Sequence, residues 1–380
     1  MNTAHARALM PDYLRLIALF GIVIVNVQFI AFPNLNSITG PAGETFKDAV
    51  ALWLVNGLAL LKTYGLFSFM FGVGVGFLMR SSERLGLPFG RIYRNRMIGL
   101  FLIGVVHGCL FFPGDILVIY SLTGSILYLF RNRPAAWLVK VGCTLLILQP
   151  IFGLPFFFAT SEIPAEFSQY EQETLGEGSF FDAAIFRSIS FAFTLPLLLT
   201  TQGISALGWF CLGLASVKSG MIDKAQHPLW QRARRFCLVP GIFLSLLAAA
   251  LWSWGPAVAG EALTLVVAPI VTLGYLGLIA LISQAPSPIM SRFVAAGESS
   301  LSIYLGQSII LSSIFSSYGL GLWDAVNRGT ASVIALLITV ILIIALSIWR
   351  TFFRLGPFEW LLRQITYAGA HTRTKRPHSH

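Results

Sequence analysis

Residues 96–130, RMIGLFLIGVVHGCLFFPGDILVIYSLTGSILYLF, contain two apolar runs separated only by the turn-forming sequence Phe112-Pro113-Gly114. Each run approaches the length of a membrane-spanning helix, which takes about 20 mostly apolar residues. Adjacent proline and glycine are typical of a tight turn. We therefore predict an antiparallel pair of membrane helices, with His107 near the end of the first and Asp115 at the start of the second.

The same apolar pattern recurs along the chain. Of its 380 residues, 56% are hydrophobic and only 11% are charged, whereas a soluble domain carries about a quarter charged residues. We predict an all-α polytopic membrane helix bundle forming one integral membrane domain, whose first span is a retained helix and not a signal peptide. The predicted spans, ten in number, are residues 14–32, 62–79, 97–112, 115–130, 135–157, 194–217, 236–254, 262–283, 300–318 and 331–349.

The basic residues are distributed asymmetrically between the predicted loops. All but four of the 26 lysines and arginines fall on the side of the two termini; the exceptions are Lys47, Lys62, Arg187 and Arg328. The positive-inside rule then places both termini in the cytoplasm, and we expect a multi-pass protein of the bacterial inner membrane. The formal net charge of +10 is explained by this topology, with some attraction to anionic membrane lipids, and requires no nucleic acid partner.

Three outward-facing segments do not fit simple spans. Residues 50–61 and 180–193 mix apolar and polar positions, and we predict that they lie along the outer face as interfacial helices. The polar loop 159–179 is either a lid over a site or a solvated connector.

At the other end of the chain, residues 355–380 are predicted to form a cytoplasmic amphipathic helix and a basic tail. Trp360 suits the lipid headgroup layer. The side chains of Arg354 and Arg363 suit phosphates, either of lipid or of a nucleotide.

His107 is the only one of the six histidines that falls within a predicted span. Ionisable groups at membrane depth are functional candidates, although a histidine can also simply hydrogen-bond a neighbouring helix. Asp115 can cap its helix and can also orient His107, and a histidine held in this way is a good general base. We predict that His107 and Asp115 form a catalytic pair near the outer surface. Because the four cysteines form no Cys-x-x-Cys pair, we expect no metal site.

Further polar residues lie within the predicted spans. Those of the ninth span recur at helical spacing, and such a stripe either bonds neighbouring helices or lines a wet cavity. Asn26 lies deep in the first span, and Lys62 is expected near the outer end of the second, where it could also snorkel to the interface. The candidate substrate-binding residues are therefore Asn26, Lys62, Ser300, Tyr304, Gln307 and Ser308.

A second group of candidates lies at the cytoplasmic end. Asp12 and Arg15 are three residues apart and share a helix face, which also suits a simple ion pair. Arg94 and Arg96 precede the third span. These four residues are the candidate cofactor-binding residues, and of them Arg15, Arg94 and Arg96 could meet phosphates.

Five motifs carry a resemblance to a known family: DYLRLIALFGIVIVN (residues 12–26), LKTYGLFSFMFG (61–72), GDILVIY (114–120), SLSIYLGQS (300–308) and RLGPFEWLLRQITY (354–367). On these, the chain is identified as a member of the YeiB-like family of bacterial inner-membrane proteins, a domain of unknown function. That family resembles the transmembrane acyltransferases, which include the lysosomal heparan-glucosaminide acetyltransferase.

The resemblance implies an acyltransferase that takes acyl-CoA, or a lipid acyl donor, from the cytoplasmic side and acylates a hydroxyl or amine outside. The acceptor would be a small molecule or a glycan. The lysosomal enzyme uses a histidine in the loop after its first helix; that loop, residues 30–48, contains none here, so His107 would take this role. A transporter or flippase for a small solute or lipid is the alternative, and a non-catalytic scaffold is a third. Membrane lipids and a second copy of the chain, in a homodimer, are the further partners expected.

Overall fold

The computed structural model describes residues 10–33, 38, 45–160, 165–285 and 297–369, and in these residues the fold is all-helical, as predicted, without a strand. The predicted basic tail beyond residue 369 lies outside the described residues. The helices are α1 (Met10–Ala31), α2 (Phe46–Leu58), α3 (Lys62–Arg84), α4 (Phe89–Leu110), α5 (Ile116–Phe130), α6 (Ala135–Thr160), α7 (Ala165–Glu171), α8 (Phe180–Lys218), α9 (Pro228–Ala233), α10 (Val239–Trp254), α11 (Ala257–Ile282), α12 (Ser300–Phe315), α13 (Arg328–Phe352) and α14 (Pro357–Tyr367).

Seven helical segments in the described part of the chain are long and apolar enough to cross a membrane, with α2 and α3 counted together as one segment and α9 and α10 as another. The apolar helices α5 and α12 are shorter. Large apolar side chains on one face of α13, such as Val333, Leu337 and Ile341, are exposed, as expected where a helix faces lipid. These features support a polytopic membrane protein, while the count of ten spans and the cytoplasmic position of the termini stay predictions.

The predicted interfacial helix at residues 180–193 is wrong, because α8 runs without interruption from Phe180 to Lys218. Its start is fixed by a capping box, in which Ser179 accepts from the backbone N–H of Asp182 and Asp182 accepts from that of Ser179. Pro196 lies inside the helix and does not end it. With 39 residues, α8 is about 58 Å long and exceeds the bilayer core of about 30 Å.

The prediction that residues 50–61 lie along the outer face is also wrong. A Cβ added at Gly57 would lie 2.7 Å from Leu246, which is halfway along α10. Gly21, halfway along α1, packs even more closely on Thr63. The turn between α2 and α3 therefore lies in the middle of the bundle, and its residue Leu61 has a left-handed backbone with φ of 64°. Because Gly57 has no side chain, α2 can pack closely against α10.

Candidate functional site

His107 and Asp115 form a buried hydrogen-bonded pair at the junction of α4 and α5. Nδ1 of His107 lies 2.7 Å from Oδ2 of Asp115, and the two side chains are 2% and 0% exposed. The second carboxylate oxygen, Oδ1, accepts from the backbone N–H of Val118 at 3.0 Å and caps α5. The predicted contact between the two side chains is therefore present, while their catalytic role stays a prediction.

Close approach of α4 to α5 makes this pair possible. A Cβ added at Gly104 would lie 2.7 Å from Oδ1 of Asp115 and 2.8 Å from the backbone nitrogen of Val118. Both distances are shorter than a van der Waals contact. Only glycine at this position allows the start of α5 to lie directly against α4, one turn before His107.

Two aromatic rings enclose the imidazole of His107. The ring of Tyr304 lies 5.2 Å from it and that of Phe112 lies 6.4 Å from it, between centroids. The Tyr304 hydroxyl accepts a long hydrogen bond of 3.5 Å from the backbone N–H of Ile116 and also interacts with Asp115. Tyr304 is thus the residue of the predicted ninth-span stripe that the structure brings to the pair.

The other ring nitrogen of His107, Nε2, is buried and has no hydrogen-bond partner among the described residues. A carboxylate can only accept a hydrogen bond, so Nδ1 is the donor to an ionised Asp115 and Nε2 is the basic nitrogen. Buried polar atoms almost always have a partner, and an exception calls for a functional or solvent partner. The pair can therefore take a proton at Nε2, but in this structure the site is closed to solvent.

Of the remaining stripe residues, Gln307 bonds neighbouring helices. Nε2 of Gln307 donates to Thr339 Oγ1 of α13 at 2.8 Å and to the carbonyl of Leu19 in α1 at 3.3 Å. The hydroxyl of Ser308 donates to the carbonyl of Tyr304 in its own helix at 3.5 Å. Ser300 is partly buried in the first turn of α12, and Asn26 is half-buried in α1. Gln307 thus serves as a bond between helices, one of the two roles predicted for the stripe.

Lys62 does not snorkel to the outer interface, since its side chain is 0% exposed and lies at the mid-depth turn between α2 and α3. The turn leaves three carbonyls at the end of α2 without helical partners. Each accepts from a side chain instead: Asn56 from Lys62 Nζ at 2.7 Å, Gly57 from Ser245 at 2.6 Å and Leu58 from Tyr275 at 2.9 Å. Lys62 thus begins its helix, as expected, but it is buried and does not snorkel. The other two donors, Ser245 and Tyr275, come from α10 and α11, which the sequence near Lys62 does not reveal.

The four predicted donor-binding residues lie in the first halves of α1 and α4, at the end of the bundle that is predicted to be cytoplasmic. Arg15 is paired with Asp12 at 3.0 Å. Arg96 lies near enough to Arg15 for their like charges to repel each other. Arg94 is exposed. From Arg96 to His107 is 11 residues of α4, or about 16 Å along the helix axis. The structure therefore groups Arg15 and Arg96 but separates them from the His107 pair by about half the bilayer core.

Arg187 was not among the predicted site residues, although it lies near the pair. It is 4% exposed and donates to the carbonyl of Leu110 at 3.0 Å, one turn after His107, and to Ser316 Oγ at 2.6 Å. The sequence feature that could have identified Arg187 is that it is one of the four basic residues predicted to lie on the outer side. Lys62 and Arg328, two more of the four exceptions to the charge asymmetry, are also buried, at 0% and 2%. Three of the four exceptions, Lys62, Arg187 and Arg328, are therefore buried inside the bundle and do not lie in exposed loops.

Within the described residues, no group of three or more histidine, cysteine, aspartate or glutamate side chains could hold a metal ion. The four cysteines are free thiols.

Comparison with known proteins gives the chain's relatives. A family model described as "Protein of unknown function (DUF418)" matches residues 216–369. The "Uncharacterized protein YeiB" of Escherichia coli (strain K12) is 30% identical over 94% of this chain and 96% of its own. The "Uncharacterized protein YxaH" of Bacillus subtilis (strain 168) is 28% identical over 94% and 93%. No solved structure matches.

Proposed function

This chain belongs to the YeiB-like family, and on that premise we propose that it is a membrane acyltransferase with His107 as its general base. It would move an acyl group from cytosolic acyl-CoA, or from a lipid donor, to a hydroxyl or amine acceptor outside the bacterial inner membrane. The observation that carries the proposal is the bare, buried Nε2 of a histidine whose Nδ1 is bonded to Asp115. Such a pair is suited to removing a proton from an acceptor.

In the proposed reaction, Nε2 of His107 takes the proton of the acceptor O–H or N–H as the acceptor atom bonds to the thioester carbonyl carbon. Asp115 stabilises the resulting imidazolium through the 2.7 Å bond to Nδ1. The tetrahedral intermediate collapses, the carbon–sulfur bond breaks, and the CoA thiolate recovers the proton from Nε2. The products are the acylated acceptor and free CoA thiol.

Tyr304 is the best-supported group for stabilising the oxyanion of that intermediate. Its ring lies against the imidazole, and among the described residues its hydroxyl contacts Ile116, at a long 3.5 Å, and Asp115. Gln307 is less suited, because its side-chain N–H group already bonds Thr339 and Leu19. A hydroxyl donor placed at the developing charge is the usual requirement for such a role.

Donor and acceptor would approach from opposite sides. Arg15, Arg94 and Arg96 would hold the donor phosphates at the cytoplasmic end, and the acyl arm would cover the distance of about 16 Å up α4 to His107. On the outer side, Arg187 ties the end of α4 to Ser316. The closed site must open there to admit the acceptor.

Radiolabelled acetyl-CoA and palmitoyl-CoA test the proposal in membrane vesicles from a host without its own YeiB-like genes. We expect label in lipid or glycan fractions with the wild-type protein and none with His107→Ala at equal expression. No labelling by the wild-type protein with either donor, or equal labelling by the variant, would remove the assignment. His227→Ala, which alters an N-cap histidine outside the site, is the matched control.

A carrier for a small solute or lipid is the second candidate, and the α2–α3 turn favours it. Interrupted helices at mid-membrane, with backbone carbonyls met by side chains, are typical of transporter sites. Here the interruption holds the buried amino group of Lys62 at the carbonyl of Asn56. Solute flux into proteoliposomes without any acyl donor, lost in Lys62→Met, would support this function over acyl transfer.

A further inference from the structure

A cavity of about 560 Å³ lies at the corner where α13 ends and α14 begins. Its walls are almost entirely apolar, and Arg354 is the one charged residue among those that line it. The chain breaks direction at Gly356 and Pro357, so that the end of α13 and the first turns of α14 face each other across the cavity. The lining residues are Trp349, Phe353, Arg354, Leu355, Pro357, Phe358, Trp360 and Leu361.

Aromatic contacts give this corner a defined shape. The rings of Trp349 and Phe353 are stacked at 4.2 Å between centroids, and Trp349 Nε1 donates to the carbonyl of Leu355 at 2.9 Å. On the α14 side, Trp360 is 56% exposed. The cavity is therefore a shaped apolar surface that remains open to its surroundings.

The first turn of α14, beside the cavity, is anchored to α12. Glu359 accepts hydrogen bonds from the backbone N–H groups of Leu301, at 2.7 Å, and Ser302, at 3.0 Å, at the start of α12. The amphipathic helix thus cannot swing away without breaking the cap of α12, and the corner persists without an occupant.

Arg354 differs from the basic residues around it. Arg350 pairs with Glu298, and Arg363 lies over the ring of Tyr367 at 5.6 Å. Arg354 is exposed, lines the cavity, and forms no ion pair within the described residues. Its guanidinium is therefore available to an anionic ligand, and this group suits phosphate oxygens through paired hydrogen bonds.

We propose that this corner binds an anionic phospholipid of the cytoplasmic leaflet, with an acyl chain in the apolar cavity and its phosphate at Arg354. The cavity adjoins the end of an apolar membrane helix on the side where the basic residues collect, which is the depth of lipid phosphates. Tryptophan at this depth is typical of the headgroup layer. A free phosphate or nucleotide fits less well, because the cavity offers one cation and no other polar side chain except the indole groups. The inference does not depend on the acyltransferase proposal.

Native mass spectrometry of the full-length, delipidated protein tests the site. The probes are phosphatidylglycerol, phosphatidylcholine of the same chain length, and soluble glycerol phosphate. We expect the wild-type protein to retain phosphatidylglycerol most strongly and Arg354→Gln to bind it about tenfold more weakly, as the loss of one charge-assisted contact implies. Arg363→Gln, which also neutralises an exposed arginine of α14, should change the affinity less than twofold.

A second readout reports the position of the lipid. Brominated phosphatidylglycerol should quench the fluorescence of wild-type protein more than that of Trp360→Phe, since Trp360 lines the cavity. Melting temperatures equal to that of the wild type would show that Arg354→Gln, Arg363→Gln and Trp360→Phe all fold. Equal binding of phosphatidylglycerol by wild type and Arg354→Gln, equal retention of phosphatidylcholine, or binding of glycerol phosphate in place of lipid would each overturn the proposal.

Discussion

Asp115 divides its two carboxylate oxygens between His107 and the start of its own helix. Oδ2 binds the imidazole at 2.7 Å, and Oδ1 caps α5 through the backbone N–H of Val118 at 3.0 Å. The cap fixes the carboxylate, and the fixed carboxylate in turn fixes the imidazole. One residue thus connects the stability of a helix to the orientation of the proposed base.

Two substitutions separate these roles of Asp115. Asp115→Asn keeps a cap oxygen but removes the charge that holds the Nδ1–H form of His107, so we expect near-normal melting and a loss of transfer of about a hundredfold or more. Asp115→Ala also removes the cap and should lower the free energy of unfolding by a further amount of about 1 kcal/mol. Thermal melting and the labelled acyl-CoA assay give the two readouts. Full activity in Asp115→Asn would show that the carboxylate does not act through His107.

Gly104→Ala tests the close approach of α4 and α5. The added methyl group would lie 2.7 Å from Oδ1 of Asp115, so the helices must separate, and we expect a destabilisation of about 1–3 kcal/mol with loss of activity. Gly74→Ala is the matched control, since nothing lies within 4 Å of its added methyl group. Equal melting temperatures for the two variants would contradict the packing described at Asp115.

Lys62→Met tests the interior of the bundle. Methionine fills a similar volume but leaves the carbonyl of Asn56 without its donor, which should cost about 1–3 kcal/mol. Lys47→Met, at an exposed position of α2, should change stability little. Denaturation in detergent micelles measures both. If Lys62→Met were as stable as the wild type, the hydrogen bond from Lys62 to the carbonyl of Asn56 would not stabilise the end of α2.

Glu359 should give the corner between α13 and α14 a pH-dependent stability. Burial raises the pKa of this carboxyl above its ordinary value of 4.5, against the opposite effect of its hydrogen bonds from Ser302 and Leu301. The folded protein therefore binds the proton more tightly than the unfolded chain. The contribution of this group to stability is complete below pH 4.5 and falls as the pH rises through the raised pKa.

Glutamine cannot titrate, so Glu359→Gln removes this pH dependence. As the pH is raised from about 4 to about 8, the melting temperature of the wild type should fall relative to that of the variant. Glu83→Gln, at an exposed position, is the control. A difference that stays constant over this range would show that Glu359 does not change its proton binding on folding.

The sequence predicts best what is local. The hairpin, the His107–Asp115 contact and the helical fold follow from apolar runs joined by a short Pro-Gly turn. Lys62 and the α2–α3 turn could not be predicted, because the partners Ser245 and Tyr275 are distant in sequence and leave no pattern near residue 62. The continuity of α8 was missed because the mixed apolar and polar positions of residues 180–193 suggested a separate interfacial helix, whereas they form the first part of α8.

Nitrogen NMR of protein with isotope-labelled histidine tests most directly whether His107 keeps a bare Nε2 beside Asp115. The chain has six histidines, and the signal missing in His107→Gln identifies the one in question. We predict a neutral ring with its proton on Nδ1, a hydrogen-bonded shift for that nitrogen, and loss of this form in Asp115→Asn. A neutral ring with its proton on Nε2 and none on Nδ1 would contradict the proposal, because Nε2 could then not take a proton from the acyl acceptor.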